Sequence, residues 1–244
     1  MSLKVGVTGQ SGFIGGHLFN YLKLCSDVER VAFDKTFFNF NEKLKNFVSQ
    51  CDVIVHLAGM SRHENQQFVY DTNILLTNKL IDAMTEANKK LHLIFISTTH
   101  DYKNTPYHAS KRETVLMFEK WAASNNSSLT VIKTPNVFGP YSRPFFNSVV
   151  STFCHQIANN EAINLIGSDI LCLVDIQRLC NVIKKNLFFS GKRNIVVPHE
   201  FELTLTDLAS KLKCYKESLD NLVIPELKSL LDIRLFNTFI SYLQ

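Results

Sequence analysis

The sequence of 244 residues lacks several features that would assign a protein to a class directly. Its six cysteines include no Cys-x-x-Cys pair and no spacing typical of metal ligands, so we predict no metal site. The net charge is only +4 and contains no basic block, which argues against a nucleic-acid partner. No apolar run approaches the ~18 residues that span a bilayer. No signal-peptide pattern precedes the first strand, so we expect a cytoplasmic protein without a membrane partner and with reduced thiols.

Glycine is also sparse, yet three of the nine glycines, Gly9, Gly12 and Gly15, follow one another at three-residue spacing. A glycine inside an element costs roughly 0.5–1 kcal/mol relative to alanine, so this cluster needs a reason. The triplet follows a predicted strand and opens a predicted helix, which is the context of a dinucleotide-binding turn. In that interpretation the first glycine permits the turn, the second admits a pyrophosphate and the third allows close helix packing. An ordinary tight turn is the alternative.

Asp34 favours the dinucleotide interpretation. It follows the second predicted strand, 19 residues after Gly15. A carboxylate at that point can bind the adenosine ribose, and it would repel a 2′-phosphate. We therefore predict NAD as the cofactor. Lys35 could partly reverse this preference, so NADP stays open.

Short apolar runs alternate with longer amphipathic ones along the first half of the chain. The predicted strands are 3–8, 30–33, 53–58, 92–97 and 129–134. The predicted helices between them are 13–24, 39–49, 67–88 and 107–124. Apolar strands separated by helices predict an α/β protein with a doubly wound parallel sheet, a Rossmann fold that binds ligands at the carboxyl ends of its strands.

The pattern changes after Pro135, where the sequence becomes rich in turn residues and aromatics. We predict a helix at 148–159, a strand at 163–166, a helix at 175–188, a strand at 194–197 and a helical tail at 205–242. The predicted domains are a dinucleotide-binding Rossmann domain over 1–135 and a small, mainly substrate-binding part over 136–244. Segments at about 175–200 of this interleaved part return to the Rossmann sheet.

Tyr107 and Lys111, in the segment YHASK, form a second candidate motif. Residues four apart share a helix face. A phenol has a pKa of about 10, and a nearby cation lowers it toward the range useful for acid–base catalysis. The preceding strand ends in Ser97 and Thr98, which puts a hydroxyl at the edge where a substrate carbonyl could be held. Two helix-surface residues are the alternative interpretation, since Tyr-x-x-x-Lys often occurs by chance.

Taken together, these motifs resemble those of extended short-chain dehydrogenases/reductases of the NAD-dependent epimerase/dehydratase family. The matching pieces are TGQSGFIG, Asp34, VIVHLAG, Asn73, IST, YHASK and TPNVFGP. Four further features resemble the reductase domain of bacterial capsular-polysaccharide and O-antigen enzymes. They are the segments HLAGMSRHEN, NVFGPYSRPFFNS and LFNTFISYL and the short gap from Thr98 to Tyr107. Those enzymes reduce a 4-keto-6-deoxy UDP-N-acetylhexosamine in UDP-N-acetylfucosamine-type pathways. A cupin domain follows their reductase domain, and this sequence stops where it would begin, so we expect no C3-epimerase activity.

The resemblance implies roles for individual residues. Tyr107 would be the acid/base, Lys111 its partner and a ribose ligand, and Thr98 the holder of the substrate carbonyl. The expected cofactor contacts are Gly9, Gly12, Phe13, Ile14, Gly15, Asp34, Leu57, Ala58, Gly59, Lys111 and Val137. The expected substrate contacts are Asn136, Arg143 and Asn147, with Arg143 facing the diphosphate. The resemblance also implies a homodimer through helices 67–88 and 107–124.

Two departures from the family pattern limit what can be transferred. CLVDIQR stands where such enzymes read R-L-V-Y-I-D-D, so Cys172 replaces an arginine and Gln177 an aspartate. This removes one expected phosphate contact and weakens the assignment of UDP. Thr99 and His100 follow Thr98 where 4,6-dehydratases carry Asp-Glu, so we do not expect water elimination.

These observations lead to one functional hypothesis and two alternatives. We expect an NAD(P)-dependent oxidoreductase that acts on a nucleotide sugar and reduces its 4-keto group. The alternative within enzymes is a nucleotide-sugar 4-epimerase that retains its cofactor. The alternative from another class is a non-catalytic dinucleotide sensor or scaffold, although such relatives commonly lose the Tyr–Lys pair that is present here.

Overall fold

The computed structural model describes residues 2–165 and 170–243, which form two compact units. The first unit comprises the chain up to Thr134 together with Cys180–Val197. The second comprises Pro135–Leu179 and the chain from Pro198 onwards. Each unit has its own cluster of buried apolar side chains.

A six-stranded parallel sheet forms the centre of the first unit, with strand order β2-β1-β3-β4-β5-β8. Its strands are β1 (Leu3–Thr8), β2 (Val28–Val31), β3 (Val53–His56), β4 (His92–Thr98), β5 (Ser128–Thr134) and β8 (Lys192–Val196). The chain leaves β1 in one direction to form β2 and then returns to the other side of β1 to form β3. This reversal makes β1 and β3 the switch point of the doubly wound sheet, and the predicted fold class is confirmed.

Helices connect the parallel strands, as their geometry requires. They are α1 (Phe13–Lys23), α2 (Asn41–Gln50), α3 (Gln66–Ala87) and α4 (Pro106–Ser124), with α6 (Ile176–Asn186) leading into β8. A 3-10 helix at Lys35–Asn39 precedes α2. No helix among the described residues is long and apolar enough to cross a bilayer.

The second unit contains a three-stranded sheet that the sequence does not predict. Its order is β6-β7-β9, with β6 (Asn136–Phe138) parallel and β9 (Phe201–Leu203) antiparallel to β7 (Leu171–Asp175). The helices α5 (Val149–Ala158), α7 (Leu205–Asp220) and α8 (Leu230–Ile240) complete this unit. Three-residue strands are too short to show alternation, so their sequence carries no strand signal.

Several predicted boundaries need correction. The second strand lies two residues earlier than 30–33, at Val28–Val31. Residues 163–165 are not in a strand, and Ile166 of that prediction lies outside the described residues. The helical tail is two helices, because a loop that contains Pro225 separates α7 from α8. The late strand predicted at 194–197 pairs with β5 and so joins the main sheet.

His56 is a buried, hydrogen-bonded histidine of the core, as its position in an apolar strand predicts. Its ring is buried between Phe95 and Phe118, and its Nδ1 lies 2.8 Å from Thr8 Oγ1. Burial, assisted by the charge of Lys111, lowers the pKa of His56 from 6.5 to about 3.

This shifted pKa predicts a loss of stability in acid. Below pH 6.5 His56 binds a proton in the unfolded chain, whereas in the folded chain it stays neutral down to about pH 3. The free energy of unfolding should therefore decrease as the pH is lowered through that range, by at most about 1.4 kcal/mol per pH unit from this residue. Urea unfolding at about pH 7 and about pH 5 measures the slope. His56→Asn should flatten the slope; an equally steep slope in His56→Asn would contradict the assignment.

Candidate active site

The glycine turn joins β1 to α1, and two of its three glycines are required by the protein's own packing. Gly9 has φ +74°, and a Cβ there would lie 2.7 Å from the backbone nitrogen of Ala58. A Cβ on Gly15 would lie 2.1 Å from the carbonyl oxygen of Gly9. The tight-turn interpretation therefore accounts for Gly9 and Gly15 without any ligand.

Gly12 is different and provides the test of whether a dinucleotide fits. A Cβ on Gly12 would meet a single atom within 4 Å, the carbonyl oxygen of Gly9 at 3.2 Å. Gly12 is exposed and caps α1 without a side chain, so the first turn, with half-buried Phe13 and Ile14, carries no capping group or acid. An uncapped helix N-terminus beside open space suits an anionic diphosphate. The residues present fit a dinucleotide.

Gly12→Ala should weaken NADH binding at a small cost in stability, because its Cβ would lie 3.2 Å from Gly9 O and a shift of a few tenths of an ångström relieves that contact. The added methyl group occupies the space over the helix N-terminus, so at least one backbone hydrogen bond to phosphate should be lost. Such charge-assisted bonds contribute about 1.5–3 kcal/mol, which corresponds to about 10- to 100-fold in Kd. Fluorescence titration with NADH measures the change. Gly16→Ala is the matched control, because its Cβ meets Gln10 at an ordinary 3.5 Å; equal affinities for the two variants would refute a phosphate at Gly12.

Asp34 lies at the carboxyl end of β2, as the ribose interpretation requires. It is exposed and caps the 3-10 helix through Oδ1, which accepts hydrogen bonds from Thr36 N at 2.8 Å and Thr36 Oγ1 at 2.6 Å. These bonds lower the pKa of Asp34 and keep it anionic. Gln10 connects this region to the glycine turn, since its Oε1 accepts from Phe33 N at 3.0 Å. No sequence pattern singles out Gln10.

Leu57, Ala58 and Gly59 follow β3 at the same sheet edge. The hydroxyl of Thr8 accepts from Leu57 N at 3.2 Å and from Ala58 N at 3.3 Å, which holds this segment against the end of β1. Thr8 is another residue that the sequence reasoning missed; a buried polar residue ending an apolar strand was the available signal.

Asn73 of α3 joins this segment to α4. Its side chain exchanges two hydrogen bonds with the backbone of Met60, at 2.7 and 2.9 Å, and donates to Ser110 Oγ at 2.9 Å. Ser110 in turn donates to the carbonyl oxygen of Tyr107 at 2.7 Å. Asn73 is part of the family resemblance without an assigned role, and the structure shows it positioning the backbone of Tyr107.

Lys111 fixes the height of α4 against β4. Its Nζ donates to the carbonyl oxygen of Ile96 at 3.1 Å and lies 4.7 Å from the centre of the Phe95 ring. Because β4 and β5 are parallel, the connecting α4 runs antiparallel to β4. The N-terminal turn of α4, which carries Tyr107, therefore lies at the end of the helix nearer the carboxyl edge of the sheet, where Thr98 ends β4.

The hydroxyl of Thr98 acts as an acceptor in its bond to His100, and this bond does not use the hydroxyl proton. Its Oγ1 accepts a hydrogen bond from His100 N at 3.0 Å, so the bond uses an oxygen lone pair and not the O–H. Two strand spacings, about 10 Å, separate β4 from β1 in the sheet, with β3 between them. The glycine turn, the segment after β3 and Thr98 therefore follow one another along one edge.

The expected downward shift of the Tyr107 pKa needs correction. Burial raises the pKa of Tyr107 above its ordinary value of 10.0, and the Lys111 Nζ lies 5.9 Å from the centre of its ring. Burial also lowers the pKa of Lys111 from 10.5 to about 8. The ammonium of Lys111 is directed to a carbonyl oxygen and a ring face, so near neutral pH a protonated phenol lies beside a cationic lysine.

The loop between Thr98 and Tyr107 is fastened from two sides. Arg112 donates to the carbonyl oxygens of Asp101 and of Lys103, the latter at 2.9 Å. Lys133 of β5 forms an ion pair with the carboxylate of Asp101. These contacts hold the short loop beside the end of β4.

The expected substrate residues lie in the second unit, together with Val137 of the expected cofactor contacts. Asn136 is exposed and Val137 half-buried in β6, and Arg143 and Asn147 are exposed before α5. The guanidinium of Arg143 lies 5.4 Å from the centre of the Phe146 ring.

Gln177, which departs from the family pattern, also lies in the second unit. Its Oε1 accepts from Arg234 at 2.6 Å. Arg234 also approaches the buried carboxylate of Asp175, at 3.8 Å. The sequence analysis did not identify Arg234.

Comparison with known proteins identifies a family whose sequence model, described as NAD dependent epimerase/dehydratase family, matches residues 5–175. The chain is 28% identical over 244 residues to a UDP-2-acetamido-2,6-beta-L-arabino-hexul-4-ose reductase of Pseudomonas aeruginosa. That alignment covers 99% of this chain and 65% of the relative, so the chain spans slightly less than two thirds of the relative's length.

Solved structures give a similar result. The capsular polysaccharide assembling protein CapF from Staphylococcus aureus matches with a TM-score of 0.82 and 26% identity, over 100% of this chain and 66% of that one. RMD from Pseudomonas aeruginosa, complexed with NADPH, matches with a TM-score of 0.84 and 18% identity, over 100% of this chain and 98% of that one. The likeness to RMD shows the fold alone.

Proposed function

The chain belongs to the NAD dependent epimerase/dehydratase family, and from that membership we propose that it is an NAD(P)-dependent reductase of a nucleotide sugar. The observation that supports the proposal is the bond from Lys111 Nζ to the carbonyl oxygen of Ile96, which ties the helix that carries Tyr107 to β4 two residues before Thr98. Hydroxyl donors from a helix N-terminus and a strand end at one sheet edge suit the reduction of a carbonyl group.

The residues of the glycine turn would hold the dinucleotide. Gly12 and the N-terminus of α1 would face the diphosphate of the cofactor, and Asp34 would bind its adenosine ribose. The segment Leu57, Ala58 and Gly59 would pass beside the ribose on the adenine side. Lys111 would reach the nicotinamide ribose. When bound, a reduced nicotinamide supplies a hydride. The carboxylate of Asp34 favours NAD over NADP, because it would repel a 2′-phosphate.

Thr98 and Tyr107 would act on the carbonyl oxygen of the substrate. The O–H of Thr98 donates a hydrogen bond as negative charge develops on that oxygen, and Tyr107 donates its proton to the same oxygen. The raised pKa of Tyr107 keeps the phenol protonated near neutral pH, which suits the reducing direction. Lys111 stabilises the phenolate that remains.

The proposed substrate is a 4-keto-6-deoxy UDP-N-acetylhexosamine. The support is the name of the 28% identical relative, a reductase of a UDP-linked hexul-4-ose. Arg143, exposed in the second unit, is proposed to pair with the diphosphate, and Asn136, Val137 and Asn147 to contact the nicotinamide or the sugar. Cys172 supplies no positive charge in place of the family's arginine, so Arg143 carries more of the phosphate recognition.

Mixing the purified protein with NADH and this sugar nucleotide tests the proposal. The expected result is a stoichiometric loss of NADH absorbance as the keto sugar is consumed. A 4-epimerase would interconvert nucleotide hexoses without net loss of NADH and would copurify with bound cofactor. Quenching of bound NADH fluorescence by the sugar without any turnover would indicate a sensor and would contradict the proposed activity.

We also propose that the protein is a homodimer in a reducing compartment such as the cytoplasm. Helices α3 and α4 pack through Asn73–Ser110 and through the hydroxyls of Thr77 and Thr114, 3.0 Å apart. Large apolar side chains such as Leu75 and Leu116 remain exposed on this pair of helices. No disulfide joins Cys25, Cys51, Cys154, Cys172 or Cys214, which suits a reducing compartment.

A further inference from the structure

We propose that Cys172, His199 and Glu202 form a binding site for a zinc ion, with one coordination position left for an external ligand. One potential ligand atom from each residue lies within 4.8 Å of the other two. The sequence predicts no metal site, because the three residues belong to separate segments without a recognisable spacing. Cys172 also has no role in the proposed reduction.

The second unit's small sheet brings these residues together. Cys172 of β7 is directly opposite Glu202 of β9 in the antiparallel register, so their side chains share one face. His199 precedes β9, and its Nε2 lies 2.8 Å from Glu202 Oε1. Glu200 N donates to the carbonyl oxygen of Leu173 at 2.8 Å, which fastens this segment beside β7. The backbone thus holds all three side chains near one another before any ion binds.

The donor set matches the preference of zinc. Zinc binds thiolate, imidazole and carboxylate at about 2.0–2.3 Å, which puts tetrahedral ligand atoms about 3.4–3.6 Å apart. From their present separations the three atoms need to move by about 1 Å, within reach of side-chain rotation. Cys172 is half-buried, whereas His199 and Glu202 are exposed, so an ion can enter from solvent.

The geometry favours metal binding over a nucleophilic Cys–His–Glu relay. In a relay the thiol and the carboxylate bind opposite edges of the imidazole, so the ring separates them. Here the cysteine and glutamate donor atoms also approach one another within 4.8 Å. Three donor atoms that all lie within 4.8 Å of one another suit a coordination site better than a relay.

Binding replaces protons by the metal ion. The thiol of Cys172 releases its proton to become the thiolate ligand, and the His199 nitrogen that faces Glu202 gives up its proton, so that this nitrogen and a Glu202 oxygen bind the ion in place of their hydrogen bond. Three protein ligands leave the fourth tetrahedral position for water or for an oxygen of another molecule.

Titration of the full chain with Co²⁺ tests the site directly. Cobalt occupies zinc sites, and a thiolate ligand gives an intense charge-transfer band in the near ultraviolet. We expect this band to appear with one equivalent of Co²⁺ and to disappear when Zn²⁺ is added. Absence of the band at millimolar Co²⁺ would overturn the proposal.

Variants assign the ligands. Cys172→Ser should abolish the thiolate band, and His199→Ala or Glu202→Gln should weaken Zn²⁺ binding by at least the 10- to 100-fold that loss of an outer-shell partner costs. Cys214→Ser, at an exposed cysteine of α7, is the matched control and should retain both band and affinity. A band that survives Cys172→Ser, or that vanishes in Cys214→Ser, would overturn the assignment.

Equilibrium dialysis with Zn²⁺, followed by elemental analysis, gives an independent readout. We expect one zinc per chain for the parent and for Cys214→Ser, and a reduced content for the three ligand variants, each checked by circular dichroism. Equal zinc content in all five proteins would contradict the site.

Discussion

Tyr107→Phe should lower turnover of the keto sugar by about 10²- to 10⁴-fold, the usual contribution of a positioned general acid. The change removes one hydroxyl and keeps the half-buried ring, so the fold and NADH affinity should stay close to those of the parent. Burial raises the pKa of Tyr107 and so keeps the phenol protonated near neutral pH. Without this hydroxyl, the carbonyl oxygen of the substrate must take its proton from water. Steady-state loss of NADH absorbance measures kcat, and fluorescence titration measures the Kd of NADH.

The matched control for this variant is Tyr21→Phe, which removes a hydroxyl from the last turns of α1. Its turnover should equal that of the parent. Near-normal turnover in Tyr107→Phe would show that another group donates the proton. A loss of NADH affinity as large as the loss of turnover would instead give Tyr107 a binding role.

Gly15→Ala should reduce the free energy of unfolding by about 3 kcal/mol or more, at or beyond the upper end of the usual cost of overpacking. The new Cβ would lie 2.1 Å from Gly9 O and 2.7 Å from Gly9 C, and both are backbone atoms that cannot rotate away. Either α1 separates from β1 or the turn is distorted. The urea midpoint at unchanged m-value measures the effect.

Gly16→Ala tests the same helix one residue later. Its Cβ meets Gln10 O at 3.5 Å, an ordinary contact, so alanine should stabilise the helix by up to about 0.5–1 kcal/mol. Alanine has the same helix propensity at both positions, so a stability change of opposite sign at Gly15 and Gly16 would reflect their different packing. If Gly15→Ala unfolded at the same urea concentration as the parent, the close approach of α1 to the turn would be wrong.

The central strands of the main sheet, β1, β3, β4 and β5, were predictable because they are largely buried and are rich in apolar residues. The strand Val53–His56 is buried at every position, and His56 is its one polar residue. The hydrogen bond between His56 and Thr8 cannot be predicted from the local sequence pattern. The three-residue strands β6 and β9 were missed, because their pairing depends on residues far away in sequence. The glycine motif predicted a turn and a helix correctly, yet only the structure separates Gly12 from Gly9 and Gly15.

The sequence predicts which helices and strands carry the candidate residues, but it does not predict the electrostatics of those residues. The four-residue spacing put Tyr107 and Lys111 on one helix face, and it suggested a lowered phenol pKa. Whether a buried lysine affects a neighbouring phenol depends on where its ammonium points, and here the carbonyl oxygen of Ile96 holds it. The group of Cys172, His199 and Glu202 depends on antiparallel register, which a sequence does not show.

Transfer of deuterium tests the account most directly. The protein is incubated with NADH labelled with deuterium at the transferred position and with the 4-keto-6-deoxy UDP-N-acetylhexosamine, and the product is examined by mass spectrometry and NMR. The account predicts one deuterium bound to C4 of the product sugar and an equivalent amount of NAD⁺. A sugar that stays unreduced, or a reduced sugar without deuterium at C4, would contradict it.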